Sequence, residues 1–196
     1  MDTYYTLAAP SEASFTEKRS RFLSFAIPVE SREQVREHVK SFSKEYFDAR
    51  HVCYAFVLGA DRSDFLANDN GEPSGTAGKP ILGQINSFNL TNLLIVVVRY
   101  FGGVKLGTPG LIAAYREAAR QAIENGEIIE CHREETISVN FPYLVMNDVM
   151  KIAKAPGVKV VEQSFDNVCS ITLSTRADLF PEISSRLLAI DGVTPL

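Results

Sequence analysis

No run in this 196-residue chain approaches the ~18 consecutive apolar residues that a membrane-crossing helix requires, so no membrane span is expected. The opening residues, Met1-Asp2-Thr3-Tyr4-Tyr5, have neither a basic stretch nor an apolar one behind it, so no secretory leader is expected. Cysteine is scarce. Cys53, Cys131 and Cys169 are scattered and odd in number, which excludes a disulfide scaffold and points to a reducing, cytoplasmic compartment. An excess of positive charge is missing as well: 24 acidic residues outnumber 20 basic ones, for a net charge of −4. That excludes coating nucleic acid by bulk charge, which needs many phosphate-neutralising side chains, but leaves room for a local basic site. Internal repeats and low-complexity tracts are absent. What remains is a composition of 45% hydrophobic and 22% charged residues, that of a soluble globular protein of one large or two small domains.

Leu23, Phe25, Ile27 and Val29 alternate as one buried face of a strand, with Pro28 suited to a strand end. Ser31-Arg32-Glu33-Gln34 fits a capping box, and Val35, Val39, Phe42 and Tyr46 follow at helical spacing. His51 to Leu58 reads as a buried strand. A polar, glycine-rich stretch, 68–80, leads into a short helix at Ile81–Ile85. The apolar run 93–98 is a buried strand. It is followed by a turn with four glycines in "RYFGGVKLGTPG", 99–110. A long helix comes next, with Thr108 as N-cap, Pro109 at N1 and Gly126 at C′.

Near residue 130 the pattern changes. Cys131-His132-Arg133-Glu134-Glu135 reads as a linker. A strand with Ile137, Val139 and Phe141 follows. A helix with Val145, Val149 and Ile152 ends before Pro156-Gly157. Strands 158–165 and 168–173 are joined by Asp166-Asn167 as a turn, Thr175 caps a helix with Leu179, Ile183 and Leu187, and a short strand closes at 193–196. The order β-α-β-β-α-β is the ferredoxin-like one.

Two glycine corners invite chemistry. Gly75-Thr76-Ala77-Gly78-Lys79-Pro80 is not a nucleotide phosphate loop: two residues, not four, separate the glycines, and Pro80 stands where a metal-binding Ser or Thr is needed. The corner 102–110 lacks the dinucleotide spacing. Both precede helices, however, and a helix start offers unpaired N–H groups that glycines let an anion approach. The candidate anion or nucleic-acid site is therefore Ser74, Gly75, Thr76, Gly78, Lys79, Arg99, Gly102, Gly103, Lys105, Gly107 and Thr108. The competing reading is two tight corners with solvated lysines. Asp69 and Glu72 read as turn or cap residues, or as an acid–base pair. His51 and Cys53 share a strand face but lack two further ligands for zinc, so no metal is expected. Tyr100 and Phe101, facing opposite ways, either pack beneath the turn or stack on a base.

Three strings, "HVCYAF" at 51–56, "DNGEPSGTAGKPIL" at 69–82 and "LIVVVRYFGGVKLGTPGLIAAY" at 94–115, resemble the IMPACT family, also called YigZ-like, over about residues 15–125. The chain resembles the family's bacterial form, without the extra N-terminal domain of eukaryotic members. The resemblance implies an N-terminal domain folded like the second domain of a small-subunit ribosomal protein, with a left-handed βαβ unit, and a ferredoxin-like second domain. Together these are similar to the last two domains of elongation factor G. It also implies a link to translation. Eukaryotic members regulate it by competing for the ribosome-associated activator of the kinase that phosphorylates initiation factor two, and bacterial members have been proposed to bind nucleic acid.

The expected fold class is α+β in two domains, 1–132 ribosomal-protein-like and 133–196 ferredoxin-like. The expected function is non-enzymatic: binding RNA, the ribosome or a translation-associated protein through the glycine-rich basic surface, by phosphate positioning and the shape of structured RNA. The alternative is an enzyme acting on a small phosphorylated or carboxylated substrate held at the helix starts, with Asp69 or Glu72 as base. No cofactor is expected, and the protein is expected to be a monomer or weak dimer.

Overall fold

A computed structural model describes residues 2–166 and 168–196. The chain packs as two compact units, Thr3–Cys131 and His132–Leu196 with Asp2. None of its helices is long and apolar enough to cross a membrane, among the described residues.

The first unit runs β1 (Thr3–Leu7), β2 (Ser11–Glu17), β3 (Ser20–Pro28), α1 (Arg32–Glu45), β4 (His51–Leu58), β5 (Asp64–Asn68), α2 (Gly78–Ser87), β6 (Leu93–Tyr100), α3 (Gly107–Glu124) and β7 (Ile128–His132). Five strands form one antiparallel sheet in the order β2-β3-β6-β4-β5, and β1 pairs separately with β7. The central β6 explains its own sequence. Leu93, Ile95 and Val97 face a core shared with α2 and α3, while Leu94, Val96 and Val98 face a second core under α1. All six are fully buried, so the strand is apolar without alternation. On α3 the residues facing the sheet include Ala114, Ala118 and Ala122, small enough to let the helix lie close.

The antiparallel registers decide where the loops go. Arg99 is paired with Phe22 on one side and His51 on the other, and Tyr54 with Asn68. The β2–β3 turn, the α1–β4 turn, the β5–α2 loop and the β6–α3 loop therefore gather at one end of the sheet.

α1 begins as its sequence predicts: Gln34 N–H donates to Ser31 Oγ at 3.2 Å. The return bond differs, because Gln34 Oε1 accepts from the Glu30 amide at 2.8 Å, one residue earlier than a capping box requires. Thr108 does not cap α3. The helix starts at Gly107 with Leu106 as its cap residue and no side-chain cap bond, so Thr108 lies in the first turn. Gly126 does follow α3, but its φ is not left-handed. It is there for space, since a Cβ would lie 2.8 Å from Ser11 Oγ and 3.0 Å from Leu7 Cδ2.

The second unit runs β8 (Glu134–Phe141), a 3-10 turn (Tyr143–Val145), α4 (Met146–Ala153), β9 (Val158–Phe165), β10 (Cys169–Arg176), α5 (Phe180–Leu188) and β11 (Thr194–Pro195). Its antiparallel sheet has the order β11-β8-β10-β9, with Val139, Phe141, Ile171 and Leu173 packed against Val149, Ile152, Ile183 and Leu187. The segment 131–135 comprises the end of β7, Arg133 and the start of β8, and the boundary between the two units falls within it, between Cys131 and His132. Thr175 does not cap α5. It is a β10 residue whose Oγ1 donates to the Gly157 carbonyl at 2.9 Å. Asn167, half of the expected β9–β10 turn, lies outside the described residues.

Candidate functional site

The first glycine corner turns inward. From the β5–α2 loop, Asp69 accepts the Gly75 amide on Oδ2 at 2.9 Å and those of Ala77 and Gly78 on Oδ1 at 3.1 and 2.8 Å. The start of α2 thus already holds an anion, its own carboxylate. Thr76 is buried and its hydroxyl donates to the Pro73 carbonyl at 2.6 Å. Gly78 has no room for a side chain, since a Cβ would lie 2.5 Å from the Asn68 nitrogen. The expectation that this corner offers its amides to a ligand is corrected for Gly75, Thr76 and Gly78: internal hydrogen bonds occupy them. Ser74 and Lys79 remain exposed.

Burial pushes the Asp69 carboxyl up, but the three amides and Lys79 prevail and hold it below the usual carboxylate range. The group is depressed in the folded state, so its stabilisation is present above the unfolded value of ~3.9 and is lost as pH falls through the lower folded value. Asp69→Asn is expected to lose about 1–3 kcal/mol at neutral pH, and the gap from wild type should close on acidification. Urea titrations of both proteins at pH 7 and pH 3 check this.

The second corner turns outward. Gly103, Lys105, Gly107 and Thr108 are exposed, and Gly103 and Gly107 have φ of 86° and 70°. The first amides of α3 have no partner within the helix and no side-chain cap. Gly102 differs: its amide donates to Ser20 Oγ at 3.3 Å and its Cα lies against the Arg19 backbone.

The second corner and the stretch just ahead of the first line one cleft of about 550 Å³, and Ser74, Gly75, Thr76, Gly78 and Lys79 are not among its lining residues. Gly71, Glu72 and Pro73 come from the first loop, and Phe101, Lys105, Gly107 and Thr108 from the second. Arg50 and His51 complete the wall, and Arg99 lies inside. Arg99 is not a free cation, which corrects its expected role as a surface charge. It is 5% exposed, and its Nη1 donates to Glu72 Oε1 at 2.6 Å. The Tyr115 hydroxyl donates to the same oxygen at 2.8 Å. Arg99 Nη2 reaches Ser20 Oγ at 3.4 Å, and its guanidinium carbon lies 5.7 Å from the Phe22 ring and 5.6 Å from the Phe101 ring. Its Nε is buried without an acceptor among the described residues, a state that costs about 1–3 kcal/mol.

Behind this pair, Cys53 Sγ lies 3.0 Å from the Asp69 carbonyl and 3.4 Å from the Tyr115 hydroxyl. Burial pushes the thiol up to about 12 and raises the phenol as well, so both stay protonated near neutrality. A Cys53 thiolate nucleophile is thereby disfavoured. His51 Nδ1 is 2.7 Å from the Asn70 carbonyl. A carbonyl only accepts, so Nδ1 carries the hydrogen, and Nε2 stands 3.7 Å from Glu72 Oε2. Glu72 is the only carboxylate lining the cleft among the described residues, and Arg99 neutralises it. The exposed charges at the mouth are the cations Arg50 and Lys105. Arg50 carries no local signal in the sequence; only the strand register brings it beside Arg99, whose carbonyl accepts its amide at 2.9 Å.

Residues 18–123 match the model of the Impact N-terminal domain. The chain belongs to the IMPACT family. All the cleft-lining residues, from Arg50 to Leu111, fall within the matched segment. An IMPACT family member from Haemophilus influenzae is 33% identical over 173 residues, 87% of this chain and 84% of that protein. YigZ of Escherichia coli is 40% identical over 125 residues, 63% of this chain, and YvyE of Bacillus subtilis is 35% identical over 130, 66% of it. The chain spans only about three-fifths of these two relatives' own lengths, 61% and 60%. A crystal structure of an hypothetical protein is similar over 100% of this chain and 97% of its own, with 28% identity and a TM-score of 0.79.

Proposed function

We propose that this IMPACT-family chain acts in translation as a non-enzymatic RNA-binding protein, its target free RNA or RNA exposed on the ribosome. One observation carries the reading. The uncapped start of α3 opens onto a cleft whose exposed charges are Arg50 and Lys105 and whose single carboxylate is already paired. Helix amides and cations of this kind position phosphates without reading bases. The family's eukaryotic members regulate translation, which supports the same direction.

The two-domain reading, 1–132 and 133–196, is part of this proposal. The second unit's β-α-β-β-α-β order, with β11 beside β8 and β9 at the far edge, supports a ferredoxin-like fold. In the first, β3 and β4 flank β6 and are joined through α1, the crossover that the ribosomal-protein-like reading requires. Ser74 and Lys79, exposed at the start of α2, extend the contact surface.

Lys105→Glu combined with Arg50→Glu is expected to weaken RNA or ribosome retention at least about tenfold and to flatten its salt dependence by about two phosphate contacts, with the fold intact. Co-sedimentation over a salt titration measures both. Retention by the double variant equal to wild type overturns the reading, and retention that survives nuclease points to a protein partner. An enzyme acting on a small phosphorylated or carboxylated substrate is the second reading, favoured by the size of the cleft, about 550 Å³. Its candidate bases are both committed, Asp69 to three amides and Glu72 to Arg99 and Tyr115. Stabilisation of the fold by phosphate or carboxylate metabolites would revive it.

A further inference from the structure

Two features at this end of the sheet have no place in a purely electrostatic grip. One is Phe101. It is 49% exposed, and the guanidinium of Arg99 lies 5.6 Å from its ring. Arg99 is itself pinned by Glu72 and Ser20, so the aromatic is backed by a fixed cation while half of it stays bare. The other is the β2–β3 turn. Lys18 and Arg19 both have left-handed φ, 44° and 69°, in a two-residue turn where Asn-Gly is the favoured pair. Side chains of this length are uncommon in that conformation. The turn nevertheless keeps two exposed cations there, docked by the Arg19 backbone onto Gly102 beside Phe101.

We infer that the RNA held at this cleft is single-stranded, with one unstacked base laid on Phe101 and its flanking phosphates between Lys105 and the Lys18–Arg19 turn. The inference rests on the RNA-binding reading above and narrows it. A cleft of about 550 Å³ is in the size range that encloses a small ligand, so one nucleotide fits. A duplex hides its base faces, whereas an unpaired base offers one to an exposed ring. The amides opening α3 supply donors on the same wall, and Leu106 and Leu111 supply apolar surface. The shape of structured RNA, the simpler expectation from glycine corners and lysines alone, makes no use of the bare ring.

The test uses fluorescence anisotropy with a labelled mixed-sequence 16-nucleotide RNA, as a single strand and as a blunt duplex. Wild type is expected to prefer the single strand, and Phe101→Ala to weaken that binding about tenfold with its salt slope unchanged, since a base–aromatic stack is worth roughly that much. Phe101→Tyr keeps the affinity. Lys18→Asn with Arg19→Gly installs the favoured turn: its melting temperature is expected to rise while its affinity falls, the opposite of what a merely structural turn would show. Duplex bound as tightly as single strand, or no effect of Phe101→Ala, overturns the inference. If Lys105→Glu with Arg50→Glu still abolishes binding in that case, the broader RNA reading stands. Wild type binding neither probe removes both.

Discussion

Arg99→Met is expected to lower the unfolding free energy by about 3–5 kcal/mol, the cost of leaving a buried charge without its partner. The physical reason lies in Glu72. Its side chain is 3% exposed and Arg99's is 6%, so neither can turn to water when the other is removed. Tyr115 would remain as a donor to Glu72 Oε1, but a phenol does not replace a guanidinium charge. Replacing both partners, Arg99→Met with Glu72→Met, should recover most of the loss, because a buried ion pair and a well-packed apolar pair are often of similar net worth. Urea denaturation of the two single variants and the double variant closes the cycle. Equal, additive losses would show that the two side chains do not act as a pair. Retained RNA binding by a folded double variant would show that neither the Arg99 charge nor its pairing with Glu72 is needed for the contact.

Gly102→Ala is the second large effect. A methyl there would lie 2.0 Å from the Arg19 carbonyl carbon, 2.1 Å from its oxygen and 2.5 Å from the Ser20 nitrogen. All three are backbone atoms, so no rotamer change relieves the clash, and the β2–β3 turn must lift off. A loss at or above the upper end of the ~1–3 kcal/mol range for overpacking is expected. Gly103→Ala next door is the control. Its φ of 86° disfavours a side chain, yet nothing lies within 4 Å of a Cβ, so its cost stays near the ~1–2 kcal/mol of a left-handed residue. Thermal melts of the two variants should separate clearly. Since the lifted turn carries Lys18 and Arg19, Gly102→Ala should also lose RNA affinity, and Gly103→Ala should keep it. Similar melting temperatures for the two would mean that the close approach at Gly102 is easily relaxed.

Much of the fold is legible residue by residue. The alternation of Leu23, Phe25 and Ile27 marks β3, the run at 93–98 marks β6, and Ser31 with Gln34 marks the start of α1, because each signal is local. β1, β2 and β5 leave no comparable mark. β2 and β5 are edge strands of the five-stranded sheet, and β1 is held by β7, more than a hundred residues away. β7 and the start of β8 read as a polar linker for the same reason: their partners decide their structure. At the site, the two glycine segments are legible, but the direction of their amides is not. Asp69 fills the first corner from six to nine residues away, whereas no side chain caps the second.

By itself the sequence determined the family, the run of elements in the second unit and the cores that β6, α1 and α3 build, since these follow from side-chain period and from long specific strings. Tertiary structure alone decided that Arg99 is neutralised by Glu72, that Arg50 joins Lys105 at the cleft, and that Phe101 is left half bare beside a strained cationic turn. Charge pairing and exposure depend on distances between residues remote in sequence, and strand register sets those distances.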